Sequence, residues 1–173
     1  MATRLFMETD EHAVAVADAA GPADLLAEHH RALDEQLDRL VARAQLGDAA
    51  DLRAEWTAFE RELLRHLEQE EAEILPGFAR YDAAEALAIL AEHADIRRAL
   101  LEMGVSLDLH CLRAEAVQDF AQRLKAHARR EDGAFYAWAR SHVARSTWQS
   151  IKRSLKAAAR AGRRVARLGG RIM

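Results

Sequence analysis

In four separate stretches of this chain apolar residues recur three and four positions apart, and each stretch carries a histidine inside its apolar stripe. That spacing marks one face of an α-helix, so a histidine on it is buried whenever the face is buried. The first stretch runs through Leu26, Leu33, Leu37, Leu40 and Val41 and carries His30. Gly21-Pro22-Ala23-Asp24 precedes it, with proline where a first helical turn tolerates it and an acid at the positive end of the helix dipole; Gly47 ends it. The second, capped by Asp48 or Asp51, carries His66 among Leu52, Trp56, Phe59, Leu63, Leu67, Ile74 and Leu75, and stops at Pro76-Gly77. The third runs from near Asp82 through Leu87, Leu90, His93, Ile96 and Leu100 to Met103, with Gly104 behind it. The fourth carries Val117, Phe120, Leu124, His127 and Phe135 and continues past Trp138. Residues 105–112 have no clear period.

Helices of roughly 20 to 28 residues, about 30 to 40 Å long, with short connections can bury their stripes together. The expected fold is all-α: an up-down-up-down four-helix bundle over residues 21–145, after an N-terminal extension of residues 1–20. The length of 173 residues suits one core. Ten Pro and Gly together and 6% aromatics argue against collagen-like, low-complexity and all-β folds. The single cysteine, Cys111, can form neither an internal disulfide nor a zinc-thiolate cluster, and no nucleotide-binding glycine loop or G-x-S-x-G elbow is present. Chemistry must come from His, Asp and Glu.

One histidine on an apolar face is ordinary, because a buried neutral imidazole with a hydrogen-bond partner is common. Four in one small bundle are not, since each buried polar group without a partner costs about 1–3 kcal/mol. A shared metal site satisfies all four. The carboxylates sharpen this: His66 is followed four residues later by Glu70, and His127 by Glu131, so two helices each present a His and a Glu one turn apart. Glu70 alone could belong to the solvated acidic run of Glu68, Glu71 and Glu73, but the repetition 61 residues on favours a pair of chelating faces. Donors of this kind without thiolate suit iron, manganese or zinc. His29 competes with His30 for the first position; His30 fits the stripe of Leu26, Leu33, Leu37 and Leu40 better. His12, His110 and His142 fall outside the pattern.

The segment His66-Leu67-Glu68-Gln69-Glu70-Glu71-Ala72-Glu73-Ile74-Leu75-Pro76 resembles the HxxxEExxxxP signature of the hemerythrin-like HHE cation-binding domain. His30-Arg31-Ala32-Leu33, Glu92-His93-Ala94-Asp95-Ile96-Arg97 and His127-Ala128-Arg129-Arg130-Glu131 resemble the family's other three helices in order, the likeness covering about residues 22–140. The resemblance implies a four-helix bundle around two non-haem iron ions, with His30, His66, His93 and His127 as terminal ligands and Glu70 and Glu131 as bridges. It implies a small ligand such as O2, NO or peroxide, and a role in sensing, detoxification or iron handling. An oxidase or NO-reductase type enzyme and a non-catalytic sensor would share these six ligands, so the resemblance does not decide whether the centre turns over.

The chain departs from the oxygen carriers of that family. Where they place a second histidine one turn after the third-helix ligand it has Arg97, which argues against simple reversible oxygen carriage and brings it nearer six-ligand members, such as those associated with repair of iron centres. It lacks the cysteine-bearing N-terminal module of those repair proteins. The fourth motif reads Glu131-Asp132-Gly133, where Gly133 is unfavourable in a helix interior by about 1 kcal/mol relative to Ala and would permit close approach of a neighbour.

Charge divides the chain. All 28 acidic residues lie at or before Asp132, leaving residues 1–132 at a formal −13 and residues 133–173 at +10 with no acid. From Trp148, the residues Ile151, Leu155, Ala158, Gly162, Val165, Gly169 and Ile172 form a weakly apolar stripe flanked by Lys and Arg, with Ser146 or Thr147 as an N-cap. Residues 146–173 are thus expected to form a basic amphipathic tail. Its candidate partners are an anionic membrane surface, nucleic acid, an acidic protein or the bundle's own acidic surface. Acids at Glu8, Asp10, Glu11 and Asp18 break any signal-peptide core, and no run approaches the ~20 apolar residues of a membrane span. A cytoplasmic protein is expected, with the tail leaving attachment to the inner membrane surface open. The alternative to a metal protein is a metal-free helical interaction module acting through that tail.

Overall fold

A computed structural model describes the backbone of residues 24–46 and 49–169 and the side chains of residues 25–46 and 52–161. The expected extension at residues 1–20, the proline-led helix start, the Gly47 stop, the side-chain caps of Asp48 and Asp51, and the tail side chains beyond residue 161 lie outside these. The described chain is an all-α helical bundle: α1 Asp24–Leu46, α2 Ala49–Glu73, a single turn α3 Leu75–Phe78, α4 Ala83–Asp108, α5 Ala114–Arg130, a π-helical turn Glu131–Phe135, α6 Tyr136–His142 and α7 Arg145–Gly169. Around the bundle, α1 lies beside α2 and α5, and α4 closes the ring by packing on the same two helices.

The core is split into two apolar layers. One contains Leu33, Leu63, Leu67, Ile96, Phe120 and Leu124, among others. The other contains Leu26, Ile74, Ile89 and Phe135. Along α1 the chain passes from Leu26 in the second layer through His30 to Leu33 in the first; α2 returns from Leu67 through Glu70 to Ile74. Then α4 passes from Ile89 through His93 to Ile96, and α5 returns from Leu124 through His127 and Glu131 to Phe135. The long helices thus run in alternating senses between the layers, and the four histidines meet at the boundary.

Local chemistry explains most of the boundaries. Asp82 caps α4, its carboxylate accepting from Glu85 N at 3.0 Å. Pro76 occupies the first turn of α3, where its missing N–H is harmless. Gly104 does not stop α4. It lies inside the helix, with the Trp56 indole nitrogen 3.5 Å from where a Cβ would stand, and burial of Met103 and Leu107 carries the helix on until His110 adopts a positive φ of 57°. Leu87 and Leu90 are exposed, and Ala86 and Ile89 take the inward positions expected of them.

The fourth helix is not continuous. Gly133 has a non-helical ψ of −116°, and Tyr136 N–H bonds back five residues to the Glu131 carbonyl. No side chain approaches Gly133: nothing lies within 4 Å of its notional Cβ, so the glycine serves a change of helical register and not a close contact.

The basic tail begins at Arg145, with Ser146 and Thr147 inside its first turn and not at a cap. It packs along α2, burying Trp148, Ile151 and Leu155 in the second apolar layer. In its described part the stripe is therefore turned to the bundle, and Arg153, Lys156 and Arg160 are among the residues left to solvent. No helix among the described residues is long and apolar enough to cross a membrane.

Gly77 marks one tight approach. A Cβ there would come 2.8 Å from the Trp138 ring. That ring is held by Phe78 and Tyr81 and stacks on His142 at 4.7 Å. Gly77→Ala is expected to destabilise the fold by about 1–3 kcal/mol, read as a lowered thermal midpoint; an unchanged midpoint would show that the indole moves freely.

Candidate metal centre

Helical periodicity brings the six candidate donors together. His66 and Glu70, and His127 and Glu131, are one turn apart on α2 and at the α5 terminus, while His30 and His93 come from the facing α1 and α4. All six are buried, His30 being the most exposed at 7%. They fall into two groups, His30, His66, Glu70 and Glu131 in one and Glu70, His93, His127 and Glu131 in the other, with the ligand atoms of each group within 4.8 Å of one another.

The two carboxylates belong to both groups and divide their oxygens between them. Glu70 Oε1 lies 3.2 Å from His66 Nε2, whereas Glu70 Oε2 lies 3.6 Å from His93 Nε2. Glu131 Oε2 lies 3.3 Å from His30 Nε2, whereas Glu131 Oε1 is 3.2 Å from both His93 Nε2 and His127 Nε2. His66 and His30 meet through their Nε2 atoms at 2.8 Å. Among these atoms Glu70 Oε2 and His127 Nε2 are buried without a hydrogen-bond partner. Unpaired buried acceptors converging with imidazoles and carboxylates are the donor set a divalent cation satisfies.

Surrounding groups orient the rings. Glu71 accepts from His93 Nδ1 at 2.9 Å and is itself held by Arg97 at 2.6 and 3.0 Å. Glu92 lies 2.9 Å from His127 Nδ1 and pairs with Arg130 at 2.8 Å. Carboxylates behind histidines fix the tautomer and make the ring a better donor. Arg97, at the position where oxygen carriers have a further histidine, thus serves the carboxylate behind His93. On the other side His66 Nδ1 faces His29 Nδ1 at 3.1 Å, the two rings stacking at 5.0 Å. His29 therefore stands behind the centre and His30 inside it. His142 and His110 are exposed, and Cys111 is an exposed free thiol.

Sequence periodicity missed Tyr136. Five residues after Glu131, it would lie about 140° around a regular α-helix from that carboxylate. The π-turn removes that offset and buries the phenol, which hydrogen-bonds Glu70 Oε1 and lies 3.3 Å from His30 Nε2 and 3.4 Å from Glu131 Oε2. Gly133, singled out as unfavourable in a helix interior, was the available signal. Glu62 was missed too; it is buried one turn before His66 and accepts from Gln36 at 2.8 Å.

A hemerythrin HHE cation-binding domain matches residues 21–139. The chain belongs to that family. No curated protein and no solved structure matches it. A hemerythrin-type domain binds metal ions, and the buried His and Glu groups of this bundle are compatible with that.

Without metal, protons must balance the buried carboxylates. Burial pulls the His30 pKa down, but Asp132, Glu131 and Glu70 overcome it and raise it to about 10. His93 is likewise raised, burial being outweighed by Glu131 and Glu70. Burial opposes ionisation of Glu131, yet His30, His93 and His127 hold its pKa well below the ordinary value. His29 is the opposite case, lowered to about 3 by burial and by the neighbouring His66 and His30.

The sign follows for each group. Raised histidines stabilise the fold fully below their ordinary 6.5, and that stabilisation is lost as pH climbs toward 10. His29 loses stability as pH falls below 6.5, and Glu131 as it falls below 4.5. The chelator-treated protein is thus expected to be most stable near pH 6.5, its thermal midpoint dropping on either side. A midpoint that rises steadily from pH 6.5 to 9 would contradict this charge arrangement.

Proposed function

We propose that the chain is a di-iron protein of the hemerythrin-like type that binds O2, NO or a related oxidant for sensing, detoxification or iron handling. In this reading His30 and His66 are terminal ligands to one ion, His93 and His127 to the other, and Glu70 and Glu131 bridge them. The observation that carries it is the division of each buried carboxylate's two oxygens between two imidazole pairs. One ion needs no such arrangement; two ions sharing bridges do.

An iron pair supplies open coordination positions and one-electron redox chemistry. What the chain adds is legible in its residues. The apolar layers above and below exclude bulk water, Glu71 with Arg97 and Glu92 with Arg130 orient His93 and His127, and the phenol of Tyr136 holds Glu70. Arg97 stands where a further histidine would take up a coordination position, and the six His and Glu donors leave positions open, which favours exchange of a small ligand. This reading assigns the metal-holding unit to residues 21–145, an extension to residues 1–20 and a basic tail to residues 146–173, the described part of which lies along α2.

Metal analysis and absorption spectra of protein purified with and without air test the reading. Two irons per chain and a spectrum that changes on adding NO or O2 are expected. A metal-free chain whose thermal stability ignores chelator would instead favour a helical interaction module working through its basic tail. His66→Ala or Glu131→Ala should drop the metal content to well under half, whereas His142→Ala, on a solvent-facing ring, should leave it unchanged. Glu71→Gln, which leaves all six donors in place, should weaken metal affinity about 10–100-fold, measured by competition with a chromogenic chelator.

A further inference from the structure

The two halves of the centre are not equivalent. Around Glu70 Oε1 and Glu131 Oε2 stand His30 Nε2, His66 Nε2 and also the Tyr136 phenol oxygen. Around Glu70 Oε2 and Glu131 Oε1 stand His93 Nε2 and His127 Nε2, with no phenol. Donor atoms sharing one six-coordinate ion lie about 3 Å apart when the bonds are about 2.1 Å. The Tyr136 oxygen lies 3.3 Å from His30 Nε2 and 3.4 Å from Glu131 Oε2, and closer still to Glu70, so it already stands where a fifth donor to the His30–His66 ion belongs. The residue is 1% exposed, and the π-turn holds it there from the same segment that presents Glu131.

Resting on the di-iron reading above, we propose that Tyr136 is a seventh protein ligand, bound through its oxygen to the ion held by His30 and His66, and that the His93–His127 ion, with four protein donors against five, therefore offers exogenous small ligands the greater number of open positions. On binding, the O–H bond breaks, the oxygen keeps the electron pair it gives to the metal, and the proton leaves to solvent, as for other ligands that must deprotonate. The His93–His127 side has the further features of an exchange site. A cavity of about 520 Å³ adjoins it, lined by His127, Ile96, Ala99 and Phe120, with Arg123 and Arg130 among its charged members. Both of its histidines are backed by carboxylates, so the rings stay oriented while a ligand comes and goes.

The test compares the full-length ferric protein with Tyr136→Phe, using iron content, visible absorption with resonance Raman, and azide titration. The wild type should hold two irons, show a phenolate-to-iron charge-transfer band with tyrosine ring modes, and take up azide. Tyr136→Phe should keep both irons, lose the band and the ring modes, and take up one azide more per iron pair than the wild type. Two irons without a phenolate band in the wild type, or a band that survives in Tyr136→Phe, would overturn the ligation of Tyr136 while leaving the di-iron reading intact. Equal azide uptake by the two proteins would overturn the assignment of the more open ion. A wild type that holds no iron overturns both this inference and the reading it rests on. Should Tyr136→Phe fail to hold iron, Gly133→Ala offers a second route: stiffening the π-turn toward regular helix should withdraw the phenol and weaken the band, and an undiminished band with both irons retained would again count against ligation.

Discussion

Six ionisable side chains are buried between two apolar layers, and the rest of the molecule is arranged around the need to compensate them. In so dry a place neither an imidazole nor a carboxylate can rely on water, so each must be satisfied by the others or by a cation. The charges divide accordingly. Glu131 stays ionised because His30, His93 and His127 face it, and His30 and His93 keep their protons because Glu131 and Glu70 face them. Two divalent ions would do the same work with the protons expelled, which is why metal binding and the protonation of this interior are linked.

That requirement explains the length and alternation of the helices. Each long helix carries apolar residues on both sides of its polar turn, such as Leu26 and Leu33 around His30 and Leu124 and Phe135 around His127 and Glu131. The layers clamp the turn at a fixed height, so four separate helices deliver their donors to one level without loops taking part. Surface ion pairs are ordinarily worth little. Those of Arg97 with Glu71 and Arg130 with Glu92 matter here because each fixes a carboxylate that fixes a buried imidazole.

The basic helix α7 belongs to the same economy. Laid along α2, the helix that carries both His66 and Glu70, it adds Trp148, Ile151 and Leu155 to the apolar layer that holds Ile74 and Phe78. An amphipathic stripe is ambiguous by itself, since the pattern that fits a membrane or a partner also fits the side of a bundle. For the described part of the tail, the bundle supplies the apolar surface.

Much of this was legible in the linear chain. A period of three to four residues names the buried face of a helix, and His30, His66, His93, His127, Glu70 and Glu131 all lie on such faces, so their convergence follows once the faces pack. The preference for His30 over His29 came from the same register. Where that rule has exceptions, the reading slipped. Gly104 does not stop a helix whose next turn buries Leu107, and Leu87 and Leu90 lie outward because one turn offers more apolar residues than the core can take. Tyr136 was out of reach for a related reason: its path into the centre depends on a change of helical register at Gly133, a backbone event that a fixed period cannot encode. Local spacing determined which donors face inward. Only the assembled structure decided that each carboxylate would split its oxygens between two imidazole pairs and that a phenol would stand beside just one of them, because those relations are set by the packing of helices distant in sequence.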